Sequence, residues 1–133
     1  MATYHLVFDG GSRGNPGPSY GSYRLGLSRS KLGPARRLDF GRGTNNEAEY
    51  QALIAAVRDL LERLVEKGEN PSRATAVVYG DSQLVILQLQ GEWKAKDPRM
   101  RRLRDEALEL LSQFDEVRLV HQPRWRSVSM LGH

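Results

Sequence analysis

Residues 74–91, ATAVVYGDSQLVILQLQG, pass from a strand-favouring run to a helical one across a single acid, Asp81. Ala74 to Tyr79 carries no charge and reads as a buried strand, Ser82 to Leu89 as a short helix and Gly91 as its stop. An acid at such a junction is ordinarily a helix N-cap. A strand that hands over to a helix in this way belongs to an α/β sheet with right-handed crossovers and parallel pairing.

Upstream, Ala52, Leu53, Ala56, Leu60, Leu61 and Leu64 recur at helical spacing, which predicts an amphipathic helix from Asn46 to Lys67, capped by Thr44 or Asn45 and ended at Gly68. Before it lie three strand signals: Tyr4 to Phe8, Tyr20 to Leu27 with alternating Tyr23, Leu25 and Leu27, and Ala35 to Arg42 with Leu38 and Phe40. Downstream, Met100, Leu103, Ala107, Leu110 and Phe114 line one side of another helix, and Val117 to His121 reads as a last strand. The order β, β, β, α, β, α, α, β predicts a five-stranded mixed sheet, three antiparallel strands followed by parallel ones, with helices packed on both faces.

The 133 residues suit one domain spanning 1–133, and Lys and Arg exceed Asp and Glu by 20 to 16. That excess alone is weak evidence for an anionic partner; its placement says more. Lys94, Lys96, Arg99, Arg101, Arg102 and Arg104 surround one acid, Asp97, and no acid follows Glu116. With no cysteine there is no disulfide framework and no thiolate zinc site. No signal peptide or membrane-length apolar run is evident, so a cytoplasmic monomer without membrane attachment is the expectation.

Three acids stand where a soluble protein seldom places one. Asp9 follows His5 and Val7 on one side of the first strand and emerges beside the turn Gly10 to Gly17, although an isolated Asp-Gly usually just opens a turn. Glu49 lies on the buried stripe of its helix with Leu53, Ala56 and Leu60, whereas Glu47 can serve the helix dipole. If the central strands are neighbours, Asp9, Glu49 and Asp81 converge as hard oxygen ligands that favour Mg²⁺ or Mn²⁺ over zinc. The glycine-rich turn opens into another strand and has no Gly-Lys-Ser/Thr, which argues against a nucleotide cofactor.

FDGGSRGNPGP (8–18), TNNEAEY (44–50) and GDSQLV (80–85) agree in type, order and context with the type 1 ribonuclease H family, which the chain resembles from Tyr4 to about His121. The resemblance implies the ribonuclease H-like fold and an endoribonuclease that cuts the RNA strand of RNA–DNA hybrids, giving 5′-phosphate and 3′-hydroxyl ends. It implies two Mg²⁺ ions, with Mn²⁺ as an alternative, bridged by Asp9 and completed by Glu49 and Asp81. Asn15, Asn45, Asn46 and Gln83 are implied to touch the minor groove and the RNA 2′-hydroxyls, with Gly10 and Ser12 in the substrate-facing turn. Trp93, Lys94 and Lys96 form a small patch where some members carry a longer basic protrusion, and no N-terminal hybrid-binding domain is evident.

One departure concerns the fourth carboxylate that the family usually places on a last helix. Its place falls near Leu131, and His133 is the nearest candidate ligand, through its ring or its terminal carboxylate. His121, at the end of the last strand, is a weaker candidate for proton transfer. The departure keeps two other readings open: a hybrid-binding module with weakened catalysis, and a related nuclease acting on another nucleic acid.

Overall fold

The computed structural model describes residues 2–132. Its elements are β1 (Ala2–Ser12), β2 (Gly17–Ser28), β3 (Lys31–Leu32), β4 (Arg36–Gly43), α1 (Asn45–Glu66), β5 (Ala74–Gly80), α2 (Gln83–Leu89), α3 (Pro98–Leu111), β6 (Glu116–His121) and α4 (Arg124–Leu131). The sheet has six strands in the order β3-β2-β1-β5-β6, with β4 also paired to β2. β1, β2 and β4 pair antiparallel, while β1–β5 and β5–β6 are parallel. The mixed sheet is therefore as expected, with the two-residue β3 added at the edge beside β2.

Each face of the sheet has its own core. Leu6, Phe8 and Val78 pack with Tyr50, Leu53, Val57 and Leu64 of α1 and Ala107 and Leu111 of α3. Val7, Val77 and Tyr79 point the other way and pack under Met130 and Leu131 of α4. Burying side chains of this size contributes about 1.5–3 kcal/mol each, which fixes which face of each strand turns inward. Among the described residues, no helix is long and apolar enough to cross a membrane.

Two expectations are corrected. β1 runs to Ser12 instead of stopping near Phe8, because Asp9 to Ser12 remain in antiparallel register with Ser22 to Ser19. Asp9 thus lies within its strand; what has ended at its level is the parallel pairing with β5, last seen at Val7–Tyr79. Second, residues 124–131 form a helix where none was expected. Pro123 makes no side-chain cap bond, so this helix is held by Met130 and Leu131 in the core and by the Arg24 guanidinium donating to the Met130 carbonyl at 2.8 Å.

Candidate metal centre and nucleic-acid interface

The β1–β5 register sets the first two acids side by side. Two residues beyond the last parallel pair, Val7–Tyr79, come Asp9, still on β1, and Asp81, just past the end of β5. Asp81 is not the helix cap it resembles in sequence. Ser82 holds that role, its hydroxyl accepting from Val85 N at 3.3 Å, which leaves the Asp81 carboxylate uncommitted to α2.

Glu49 arrives from α1. Thr44 caps the helix through a reciprocal bond with Glu47: Glu47 N donates to Thr44 Oγ1 at 3.2 Å and Thr44 N donates to Glu47 Oε1 at 3.1 Å. A cap of this kind is worth about 1 kcal/mol and fixes which residue begins the buried stripe. Close approach to the sheet depends on the paired Gly10 and Gly21. A Cβ on Gly10 would lie 2.4 Å from the Ala48 carbonyl carbon and 2.6 Å from Glu49 N, and one on Gly21 would lie 2.9 Å from the Ala52 Cβ. Gly10, expected to let substrate approach, therefore serves to bring the first turn of α1 against β1.

Asp9, Glu49 and Asp81 each offer a carboxylate oxygen within 4.8 Å of the other two. Asp9 Oδ1, Glu49 Oε2 and Asp81 Oδ2 are buried without a hydrogen-bond partner. Burial chiefly, then the charges of Asp9 and Asp81, pushes the Glu49 carboxyl well above its ordinary value. Burial and Asp9 also raise Asp81, opposed by Arg124, whose Nη1 stands 3.7 Å from Asp81 Oδ2. Mutually repelling hard oxygens without a hydrogen-bond partner fit a divalent cation of the Mg²⁺ or Mn²⁺ kind, and among the described residues no thiolate or imidazole belongs to the cluster.

Around the cluster, Asn45 Oδ1 accepts from Ser12 N at 2.7 Å, and Asn15 Oδ1 accepts from Asn45 N at 3.0 Å. Both amide oxygens are thus used in tying the β1–β2 turn to α1, and the NH₂ groups remain as outward donors. Ser12 Oγ donates to the Gly43 carbonyl at 2.8 Å, so its hydroxyl serves the same tie. Asn46 and Gln83 are exposed, the latter at the first position of α2.

Trp93, Lys94 and Lys96 are exposed on the loop after α2, roughly 10 Å of helix beyond Asp81. Their support was not legible in the sequence. Buried Gln88 accepts from Tyr50 OH at 2.6 Å and donates to the Lys94 carbonyl at 3.4 Å, Arg101 donates to the Ala95 carbonyl at 3.2 Å, and Ala95 is buried. Arg101 is therefore engaged with its own loop.

His121 is exposed and pairs with Gly80 at the neighbouring strand end, next to Asp81. Leu131, near which the fourth carboxylate was expected, is 2% exposed in the core under α4 and offers no ligand. His133, proposed from sequence as a ligand, lies outside the described residues.

A mixed sheet that carries one acid on its first strand, one on the following helix and one past the next strand defines a ribonuclease H-like domain. A family model described as reverse transcriptase-like matches residues 35–129. Ribonuclease HI of Halobacterium salinarum is 43% identical over 120 residues, covering 90% of this chain and 56% of that protein. The crystal structure of RNase H1 from the same archaeon aligns with a TM-score of 0.81 and 40% identity over 95% of this chain and 89% of that one. LC11-RNase H1, crystallised in complex with an RNA/DNA hybrid, aligns with a TM-score of 0.84 and 28% identity over 95% of this chain and 89% of that one. The chain belongs to the type 1 ribonuclease H family. It spans little more than half the length of its Halobacterium relative.

Proposed function

We propose that this domain hydrolyses the RNA strand of RNA–DNA hybrids, leaving 5′-phosphate and 3′-hydroxyl ends, with two divalent cations held by Asp9, Glu49 and Asp81. The observation that carries the reading is the meeting of these carboxylates, each with a buried oxygen that has no hydrogen-bond partner. Bound there, Mg²⁺, or Mn²⁺ in its place, would supply a lowered pKa for an attacking water and neutralise charge at the phosphate. The complex of LC11-RNase H1 with a hybrid supports the substrate class.

The chain's own groups orient the substrate. Asn15 and Asn45 have their oxygens engaged and present donors, which suit base-edge acceptors and the 2′-hydroxyl oxygen. Asn46 and Gln83 add amides on either side of the cluster. Lys94 and Lys96, with Trp93 between them and α2, hold the phosphate backbone without regard to sequence. His121, beside Asp81, would be the weaker candidate for exchanging a proton with a departing group.

A second reading, a hybrid-binding module with weakened catalysis, is favoured by the burial of Leu131 where a further carboxylate was expected. A panel of end-labelled RNA–DNA hybrid, double-stranded RNA and double-stranded DNA, incubated with and without Mg²⁺, separates the readings. Hydrolysis predicts metal-dependent cutting of the RNA strand of the hybrid alone. Tight hybrid binding with no cutting in Mg²⁺ or Mn²⁺ supports the second reading, and cutting of another duplex in preference removes the hybrid specificity.

A further inference from the structure

The sheet face that bears Asp9 continues away from the metal centre without a helix over it. Cross-strand pairing sets two rows on this face: Asp9, Ser22 and Arg37 in one, Gly11, Tyr20 and Asp39 in the next. Tyr20, Arg37 and Asp39 are exposed, and with Arg13 from the turn these residues line a cavity of about 450 Å³ that begins at Asp9. Its volume lies in the range of small-ligand sites.

The lining is chemically assorted. The side chains of Arg13, Arg37 and Asp39 have no hydrogen-bond or ion-pair partner among the described residues. Free guanidinium groups are forked donors suited to phosphate oxygens. Tyr20 is 45% exposed, and its phenol tip lies over Gly11, where a Cβ would come within 2.8 Å of the hydroxyl. The glycine thus lets the ring lie along the sheet close to Asp9, presenting a surface for a sugar or base. Asp39, opposite Tyr20, is an acceptor that suits a sugar hydroxyl and repels phosphate, which assigns the phosphate to the arginines.

We propose that this cavity is a positioning subsite for the strand being cut: Arg13 and Arg37 hold the phosphate of a nucleotide neighbouring the scissile bond, and Tyr20 and Asp39 hold its sugar. The proposal rests on the hydrolytic reading above and adds a place for the substrate backbone on the far side of Asp9 from α1. Continuity supports it, since Asp9 belongs both to the metal cluster and to the cavity wall. Cross-strand geometry puts Arg37 two strand spacings, about 10 Å, from Asp9 at the backbone, within reach of an extended arginine turned toward it.

The test compares the parent chain with an Arg13→Gln/Arg37→Gln double variant and with Arg73→Gln, an exposed cation at the opposite end of β5. Hybrid binding is first measured by fluorescence anisotropy in EDTA across a salt series. Losing the one phosphate that both arginines hold should reduce the slope of log affinity against log salt by about 0.9, with little change in Arg73→Gln. Next, RNA strands carrying one neutral methylphosphonate linkage are cut with Mg²⁺. In the parent, cutting should fall roughly tenfold at one fixed offset from the neutral linkage, and in the double variant that dip should vanish. An unchanged salt slope, or a dip that persists at the same offset in the double variant, overturns the subsite. Failure of the hydrolytic reading would show separately, as a parent that cuts nothing, and the salt slope alone then decides.

Discussion

Glu49 is the residue in which sequence, packing and chemistry meet. It occupies a helix stripe otherwise built of Ala52, Leu53 and Ala56, and it is 7% exposed. Its folded-state pKa stands well above the unfolded value near 4.5, so the folded protein retains a proton that the unfolded chain releases. The associated stability is fully present below about 4.5 and is lost as pH rises through the raised value. In metal-free buffer, Glu49→Gln should therefore melt above the parent at neutral pH, and the two melting curves should converge as pH falls toward 5. Melting differences that stay constant across that window would contradict the repulsion. Mg²⁺ should raise the melting temperature of the parent and leave Glu49→Gln nearly unmoved, because ligand binding adds stability only where the site is intact. Glu49 was legible in the sequence because it sits on an apolar stripe, whereas Asp9 and Asp81, each at the end of a strand signal, resembled a turn opener and a helix cap and became legible only in combination with it.

The elements position these residues through small, testable contacts. Gly10→Ala would drive a methyl into the Ala48 carbonyl and displace the first turn of α1 from β1. We expect a loss of about 1–3 kcal/mol in urea unfolding and, through misplacement of Glu49, roughly a 100-fold fall in activity. Activity near the parent's would mean that the glycine pair does not set the cluster. The loop after α2 yields a separate prediction: Lys94→Ala/Lys96→Ala should reduce the salt slope of hybrid binding by about 1.8 while leaving melting unchanged, and an unchanged slope would place the backbone elsewhere. Long elements were legible from pattern alone, α1 from its periodicity and the Thr44–Glu47 box. The misses were elements held by tertiary contacts. β1 beyond Phe8 is glycine-rich, with little intrinsic strand preference, and persists through its ladder with β2. α4 has no side-chain cap and is held by Met130, Leu131 and Arg24. The Arg37 row was equally hidden, because the β2–β4 register shifts at a bulge between Ser19 and Tyr20.

At the scale of the molecule, β5 stops while β1 runs on, and acids from β1, α1 and the β5–α2 junction gather there into one cluster. The parallel half of the sheet supplies Asp81 and the antiparallel half carries Asp9 and the uncovered face beyond it. Helices on both faces keep the two halves in register, so the site is a property of the whole fold and no local segment could form it. The surrounding surface bears the free cations a nucleic-acid backbone requires, Lys94 and Lys96 on one loop and Arg13 and Arg37 on the open face. The most direct measurement sets the parent beside Asp9→Asn on an end-labelled RNA–DNA hybrid, with Mg²⁺ for cutting and in EDTA for binding. Both proteins should bind the hybrid with similar affinity, and the parent alone should cut its RNA strand. Cutting by Asp9→Asn at close to the parent's rate would contradict the assignment of the metal centre.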